Sequence, residues 1–332
     1  MYYYLFILNF KDIPGWGRVS EICNTGKRQS PIEINLEKAK FSKDMVEKPI
    51  VFGNGYLSPL FSTQRDGLCG SLKNTGHSIQ WTLAMDNNTN TNLQFPKITG
   101  FQFGKDSYLL EQFHFHWGDS SDGGRCQGAE HLLDYKSSPM ELHLVHFNSK
   151  FASVAEAQDE KSGLAVVAFQ FEPTMEDDAD DPFQVDYAGW LVDKISDGTL
   201  GPAGSTVELC LSSLAQVVPF QLIERASNAS VYTYQGSLTT PNCYESVTWT
   251  LFQNRIKLPQ WQIDTIRNGL VLQTLDGMPM VNNYRPIQMT NGRPIWTNVK
   301  NAATATTFTT GIFVSLLISL VFSLSSLSSW LF

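Results

Sequence analysis

Short runs in which hydrophobic and polar residues alternate make up most of the chain, and Gly, Pro, Asn and Asp separate them. Successive side chains of a strand point to opposite faces, so this period of two predicts half-buried β-strands. Few long segments have the helical period, and the sequence contains no internal repeat. The pattern predicts a predominantly β protein with a mostly antiparallel sheet.

One predicted strand carries two histidines on a single face. In the run QFHFHW, His114 and His116 share one face, and Phe113, Phe115 and Trp117 share the other. A lone histidine near aromatic residues is usually a hydrogen-bonded structural group, but an alternating pair offers two imidazoles to a metal ion. Zinc sites in proteins need three or four nitrogen or sulfur donors, so a third ligand is required.

The segment MELHLVHF contains two candidates for the third ligand, His143 and His146, on opposite faces of a predicted strand. Glu141 precedes His143 by two residues on the same face, and Gln112 stands in the same relation to His114. A metal-bound imidazole normally donates its other N–H to a carboxylate or carbonyl oxygen. We therefore predict His143 as the third ligand, Gln112 and Glu141 as outer partners, and His146 as a structural residue.

Four segments in order resemble the N-terminal signature and zinc-site segments of the α-carbonic anhydrases: QSPIEI, QFHFHWG, GAEHLLDYKSSPMELHLVHFN and GSLTTPNCYESVTWT. The similarity covers roughly residues 16–297. It implies one catalytic domain with a large, twisted, mostly antiparallel central sheet and short peripheral helices. It also implies Zn²⁺ as cofactor, with carbon dioxide, water and bicarbonate as the reacting molecules. The metal lowers the pKa of a bound water to about 7, as is known for carbonic anhydrase itself.

The resemblance also implies roles for residues outside the histidine strands. Thr239 would accept a hydrogen bond from the attacking hydroxide and pass its own proton to Glu130 in a second hydrogen bond. The backbone carbonyl of Asn283 would receive the N–H of His116, and His77 falls where fast members of the family keep a proton-shuttle histidine. Without the resemblance, Glu130 fits a surface carboxylate and His77 an exposed turn residue.

The same mapping gives a substrate cavity with an apolar wall, because carbon dioxide carries no charge. Thr240 would line its polar side. The implied wall consists of Val145, Val166, Leu238, Val247 and Trp249. From the residues alone, each of these fits an ordinary core position equally well. Thr75 and Gln80 stand where asparagines are commonest in the family, so the water network near His77 is expected to differ in detail.

The beginning of the chain departs from the family pattern. The usual Trp-Gly-Tyr element is missing, since Arg18 follows Trp16 and Gly17. Residues 1–15 lack the basic n-region and small-residue cleavage site of a signal peptide. We interpret this segment as an incomplete or mispredicted N-terminus.

Five cysteines bear on the cellular compartment. Cys23 and Cys243 resemble the paired cysteines of extracellular α-carbonic anhydrases, which implies a disulfide of the kind that persists outside the cytosol. Cys69, Cys126 and Cys210 remain, and an odd remainder means that at least one is free or pairs with another molecule. A Cys69–Cys126 bridge is one alternative, and the pairing stays open.

The C-terminal tail predicts a glycosylphosphatidylinositol anchor on the extracellular face of the plasma membrane. Residues 298–310 form a polar linker with small residues from Asn301, the expected attachment site, and residues 311–332 are an uncharged segment removed on attachment. A membrane span is the rival, because that segment is long enough, but no Lys or Arg follows it. Asn87 and Asn228 fit the N-glycosylation sequon, which is used on the extracellular side.

Two classes of function compete most closely: an active carbonic anhydrase, and a related binding or adhesion module without catalysis. Inactive relatives typically lose zinc histidines, whereas this chain retains His114, His116 and His143 together with Thr239 and Glu130. Activity is therefore favoured over the module, and a different three-histidine zinc hydrolase is a third, more distant class. The net charge of −8 gives no reason to expect a nucleic-acid partner.

Overall fold

In a computed structural model of the chain, the alternating segments form strands of one large sheet, and Glu33–Ile34 and Leu132–Leu133 form a separate two-stranded sheet. The structure describes residues 13–53, 56, 68–84, 95–119, 127–174, 188–211, 214, 217–218, 226–268 and 273–300. Asn87, Cys126 and Asn301 lie outside the described residues, as do the segments 1–12 and 311–332. The described residues up to Asn298 belong to one compact unit.

The strands carry most of the regular structure, which confirms the prediction of a predominantly β protein. They are β1 (Glu33–Ile34), β2 (Lys40–Phe41), β3 (Val51–Phe52), β4 (Leu68–Asn74), β5 (Ile79–Leu83), β6 (Lys97–Thr99), β7 (Tyr108–Trp117), β8 (Leu132–Leu133), β9 (Met140–Asn148), β10 (Leu164–Thr174), β11 (Thr206–Leu211), β12 (Val231–Gly236), β13 (Val247–Phe252), β14 (Ile256–Pro259) and β15 (Trp296–Thr297).

The helices are short, as the sequence predicts. They are α1 (Ile22–Thr25), α2 (Lys43–Glu47), α3 (Val154–Ala157), α4 (Gly189–Ser196) and α5 (Gln260–Asn268), with 3-10 turns at Ile13–Arg18, Phe101–Phe103 and Ala226–Asn228. Within the described part of the chain, no helix has both the length and the apolar character needed to cross a membrane.

Among the described residues, the main sheet has thirteen strands, with the order β11-β4-β5-β7-β9-β10-β13-β12-β15-β2 and with β3, β6 and β14 beside this path. Most neighbouring strands are antiparallel, as predicted. β10 pairs in parallel with β13 and β14, and β15 pairs in parallel with β2. The sheet is therefore mixed, and its centre is formed by β7, β9 and β10.

A β-bulge in β7 decides which residues face the functional side. The register against β9 shifts between Leu110 and Gln112, which leaves Glu111 as the extra residue. Leu110 before the bulge and Phe113 after it are both buried in the same core cluster. Because side chains alternate strictly in an unbroken strand, these two could share a face only through the extra residue. Gln112 and the even-numbered residues after it consequently point to the opposite face.

Both faces of the sheet are covered by buried side chains. The larger cluster contains Trp81 and Trp117 on one face. The smaller cluster contains Val145, Val166 and Trp249 on the face toward which the even-numbered residues of β7 point. Apolar packing on both sides holds the central strands rigidly, and the histidines described below project from the second face.

Two disulfides join described parts of the chain. Cys23 and Cys243, with Cα atoms 5.1 Å apart, connect α1 to the loop between β12 and β13. Cys69 pairs with Cys210, which lies directly opposite it in the β4–β11 ladder. This pairing corrects the Cys69–Cys126 alternative, because strand register brings Cys210 next to Cys69.

Candidate metal centre

Three histidines from neighbouring strands converge on one point. β7 supplies His114 and His116, β9 supplies His143, and His114 lies directly opposite His143 in the ladder. His114 Nε2 is 3.1 Å from His116 Nε2 and 3.3 Å from His143 Nδ1. Opposed residues of an antiparallel pair have Cβ atoms about 5 Å apart, so the register itself brings these rings together.

The outer nitrogen of each imidazole has an oxygen acceptor. The pairs are His114 Nδ1 with Gln112 Oε1 at 2.9 Å, His116 Nδ1 with the backbone oxygen of Asn283 at 2.7 Å, and His143 Nε2 with Glu141 Oε1 at 2.7 Å. An acceptor at each outer nitrogen fixes the proton there, because only an N–H can donate to these oxygens. The three inner nitrogens then present lone pairs to one another.

Three converging lone pairs repel one another unless a cation lies between them, and the inner nitrogens all lie within 4.8 Å of one another. In a tetrahedral zinc site with bonds of about 2.0–2.1 Å, the nitrogen ligands are about 3.3 Å apart. The two measured separations are close to that value. The residues therefore fit a zinc ion with three nitrogen ligands and one open position, the arrangement of catalytic zinc sites.

Burial favours the neutral imidazoles that a metal ion requires. Desolvation, together with repulsion from His116 and His143, holds the pKa of His114 well below its usual value. Desolvation also lowers the pKa of His143, although the hydrogen bond to Glu141 opposes this effect. Both rings are therefore unprotonated near neutral pH and available as ligands.

Glu141 is completely buried, yet it is ionised. Burial raises its pKa, but the electrostatic interaction with His131 and the hydrogen bonds from His131 and His143 outweigh burial, so the pKa lies well below its usual value. His131 Nδ1 is 2.6 Å from Glu141, and His131 Nε2 is 2.7 Å from the Tyr234 hydroxyl. These groups form a chain that orients His143. The role of His131 cannot be predicted from the pattern of the sequence, in which its only signal is its position directly after Glu130.

The histidines line a cavity of about 320 Å³ with one apolar and one polar side. The apolar side is formed by Val145, Val166, Leu238 and Trp249. The polar side is formed by Thr75, His77, Ser78, Gln80, Thr239 and Thr240. Val247, which was expected in the wall, is instead fully buried in the smaller core cluster and does not line the cavity.

Glu130 is buried near the metal ligands and has one satisfied and one unsatisfied oxygen. Its Oε1 accepts a hydrogen bond from the backbone N–H of Arg285 at 2.9 Å and lies 3.6 Å from His116 Nδ1. Its Oε2 is buried and has no hydrogen-bond partner among the described residues. The structure therefore does not bring the Thr239 hydroxyl within hydrogen-bonding distance of this oxygen, which remains an open acceptor.

The loop that carries Thr239 is attached to the N-terminal segment. Ser30 and Ser237 exchange two hydrogen bonds of 2.9 and 3.0 Å, each backbone N–H donating to the other's hydroxyl. The Cys23–Cys243 disulfide adds a covalent link four residues after Thr239. Thr239, which lines the cavity, thus lies on a constrained loop.

His146 lies on the other side of the sheet from the metal ligands. Its Nε2 is hydrogen-bonded to the Tyr56 hydroxyl, and its Nδ1 is 3.3 Å from the backbone oxygen of Ala165. Burial lowers the pKa of His146 to about 3. The ring is a neutral, hydrogen-bonded core group that does not reach the cavity.

The chain is similar to known proteins over nearly all of its described residues. Residues 11–299 match the family described as eukaryotic-type carbonic anhydrase. Carbonic anhydrase 15 of Mus musculus is 33% identical over 284 residues, covering 84% of this chain and 78% of that protein. Carbonic anhydrase 7 of Homo sapiens is 32% identical over 287 residues, covering 84% and 91%. Carbonic anhydrase 6 of Bos taurus is 30% identical over 273 residues, covering 82% and 73%.

Proposed function

The chain belongs to the eukaryotic-type carbonic anhydrase family, and we propose that it is an active, zinc-dependent enzyme that reversibly hydrates carbon dioxide. The observation that carries this proposal is the convergence of lone pairs from His114, His116 and His143 at a cavity with an apolar wall. When bound, zinc lowers the pKa of a coordinated water to about 7, as in other carbonic anhydrases, and so supplies a nucleophile at neutral pH.

The apolar wall binds the substrate and excludes competing water. Val145 and Val166 are directly opposite each other in the ladder between β9 and β10, and Trp249 is opposite Val166 on β13. The Trp249 ring packs on the His143 ring with centroids 4.8 Å apart, so this surface begins beside a metal ligand. An uncharged molecule such as carbon dioxide gains from such a surface and needs no charged partner.

Thr239 orients the attacking group, and Glu130 orients Thr239. A threonine hydroxyl accepts one hydrogen bond and donates another, so a donation to Glu130 leaves its lone pair facing the cavity. The buried, unpartnered Oε2 of Glu130 supports this role, because a hydrogen bond there would remove the cost of an unsatisfied buried acceptor.

His77 exports the proton that hydration releases. It lines the polar side of the cavity beside Thr75 and Gln80, and the residue is half-buried, a placement that suits exchange between the cavity and solvent. Histidine is the side chain that most often transfers protons at physiological pH. In this role His77 passes protons to buffer molecules and does not itself bind carbon dioxide.

The decisive test compares the wild-type protein with Thr239→Val, which keeps the volume of the side chain and removes the hydroxyl. Stopped-flow measurement of carbon dioxide hydration should give rapid turnover for the wild type. The variant should retain zinc and lose roughly 100-fold in kcat/KM, the range expected for one oriented proton-transfer group. A wild-type protein that binds zinc without accelerating hydration would favour the alternative, a binding or adhesion module.

We further propose that the protein acts on the extracellular face of the plasma membrane. Residues 16–297 would form the catalytic domain and residues 298–310 the linker and attachment region, where lipid attachment at Asn301 would release all residues that follow it, including the hydrophobic segment 311–332. Two disulfides support an oxidising compartment. Of the two sequons, Asn228 is exposed in the structure and thus accessible to a glycan.

A further inference from the structure

His77 lies in a four-residue turn between β4 and β5 that is closed by its own hydrogen bonds. The Thr75 N–H donates to the Ser78 oxygen at 2.9 Å, and the Thr75 hydroxyl oxygen accepts from the Ser78 N–H at 3.0 Å. Gly76 has φ +80°, and a Cβ at this position would lie 2.5 Å from Leu275 Cγ. The turn therefore has a defined conformation of its own. The position of His77 depends on the contacts that attach this turn to the rest of the protein.

Asn74 holds one side of this turn. It is fully buried, and its Oδ1 accepts the Gly76 N–H at 2.8 Å. Its Nδ2 donates to the backbone oxygens of Gly201 at 2.6 Å and Gln273 at 3.2 Å. Its main chain is paired as well, since its N–H donates to the Ser205 oxygen at 3.0 Å. One amide therefore connects the turn with two separate segments of the chain.

Asn283 holds the other side and also contacts the metal centre. Its Nδ2 donates to the backbone oxygen of His77 at 2.9 Å, and its Oδ1 accepts the Trp117 N–H at 2.7 Å. Its backbone oxygen accepts from His116 Nδ1 at 2.7 Å. The same residue, with 2% of its surface exposed, thus binds both the proposed shuttle and a proposed zinc ligand.

We propose that Asn74 and Asn283 are positioning residues for proton transfer, which together set the distance between His77 and the metal centre. This inference rests on the proposed function, since it assigns His77 the shuttle role. Buried amides suit the task because they supply fixed donors and acceptors without a charge that would alter the neighbouring histidines. Asn283 is the central element, since its hydrogen bonds fix His77 relative to His116.

The step that these residues would serve is a proton transfer without any covalent intermediate. Carbon dioxide and water give bicarbonate and one proton, the His77 ring nitrogen accepts that proton, and a buffer base then removes it from the imidazolium. Transfer of this kind depends steeply on geometry, and a displacement of about 1 Å can cost roughly 100-fold in rate. Loosening the turn should therefore slow proton export more than the chemical step.

The test uses Asn74→Ala and Asn283→Ala in the full-length protein, with His77→Ala and the two double variants. For each asparagine variant we compare two losses, the loss in turnover in weak buffer and the loss in oxygen-isotope exchange at chemical equilibrium. The loss in turnover should be larger by at least about fivefold. Small imidazole buffers should restore most of the loss, and zinc content should remain at about one per chain. In the His77→Ala background, neither asparagine substitution should lower weak-buffer turnover further.

A second readout does not depend on activity. Amide hydrogen exchange of residues 75–78 should be at least about tenfold faster in both variants, because the hydrogen bonds that restrain the turn are gone. Asn298→Ala is the matched control, since its Nδ2 donates to the Ala229 oxygen at 2.7 Å and its Oδ1 accepts the Val231 N–H at 3.0 Å. Asn298 does not line the cavity, and its replacement should leave buffer dependence unchanged.

The outcomes separate this inference from the proposed function. A wild-type protein without hydration activity would overturn both. If His77→Ala lowers turnover in weak buffer and neither asparagine variant does, the inference alone is overturned. Equal losses in weak-buffer turnover and isotope exchange, or further losses in the His77→Ala background, would also overturn it. Asn74→Ser and Asn283→Ser repeat the comparison if an alanine variant does not fold.

Discussion

His143 and His146 differ by three positions in one strand, and this spacing places them on opposite faces of the sheet. We expect His143→Ala to abolish zinc binding and carbon dioxide hydration together, because it removes one of three ligands. His146→Ala should retain zinc and lower the free energy of unfolding by about 1–3 kcal/mol, as lost buried hydrogen bonds do. Metal analysis and chemical denaturation of both variants check this, and zinc loss in His146→Ala alone would contradict it.

His146 should also make stability depend on pH. Its pKa is about 3 in the folded protein and near 6.5 in an unfolded chain, so only the unfolded chain gains the proton between these values. The free energy of unfolding therefore falls as pH falls from about 6.5 toward 3, by up to about 1.4 kcal/mol per pH unit from this group.

The variant His146→Gln isolates that contribution. It keeps a hydrogen-bonding side chain. Between pH 6 and pH 4 its unfolding free energy should decrease less steeply than that of the wild type, because the unfolded variant takes up about one proton fewer. Denaturant titrations at several pH values measure the two slopes, and the zinc ligands contribute equally to both proteins. Identical slopes would show that His146 is not the group responsible.

Residue-scale prediction from sequence succeeds where partners are close in the same strand and fails where they are not. The contact between Gln112 and His114 can be deduced because residues two positions apart in a strand share a face. His131 meets Glu141 across ten positions that include a turn, and Arg285 meets Glu130 across 155 positions. Alternation contains no information about such contacts, because they depend on how the strands are paired.

At the scale of the element, alternation predicts a strand's faces but not its register. The bulge at Glu111 reverses the phase within β7, and nothing in the alternating pattern marks where the extra residue falls. The Cys69–Cys210 disulfide follows directly from the register of β4 and β11, in which these two residues are opposite. The sequence left this pairing open for that reason.

Removing the Cys69–Cys210 disulfide should destabilise the protein without disturbing the metal centre. The two cysteines are 141 positions apart, and a cross-link over so long a loop typically stabilises by about 2–5 kcal/mol. The double substitution Cys69→Ser with Cys210→Ser should lower the free energy of unfolding by that amount, while zinc content stays unchanged. Unaltered stability in denaturant titration, or loss of zinc, would contradict this assignment.

At the scale of the whole molecule, the family assignment covers residues 11–299, and the C-terminal tail carries the separate prediction of an anchor. We expect intact cells that express the chain behind a competent signal peptide to display hydration activity on their surface. Phosphatidylinositol-specific phospholipase C should release active enzyme, because a lipid would then be the attachment to the membrane.

Bulky residues in place of Asn301, Ala302 and Ala303 are the control for the anchor. They should prevent lipid attachment and keep the precursor inside the cell, since the attachment reaction requires small residues. A membrane-spanning protein would stay at the surface in both experiments. Surface activity that survives the phospholipase and the bulky substitutions would therefore exclude the lipid anchor.

The claim that zinc held by His114, His116 and His143 makes this protein a carbon dioxide hydratase is tested most directly by metal removal. Zinc content and stopped-flow hydration are measured on the purified protein, after removal of zinc with a chelator, and after zinc is added back. We predict about one zinc per chain, activity that disappears with the metal, and activity that returns with it. Full activity in the zinc-free protein, or no hydration activity in the zinc-loaded protein, would contradict the claim.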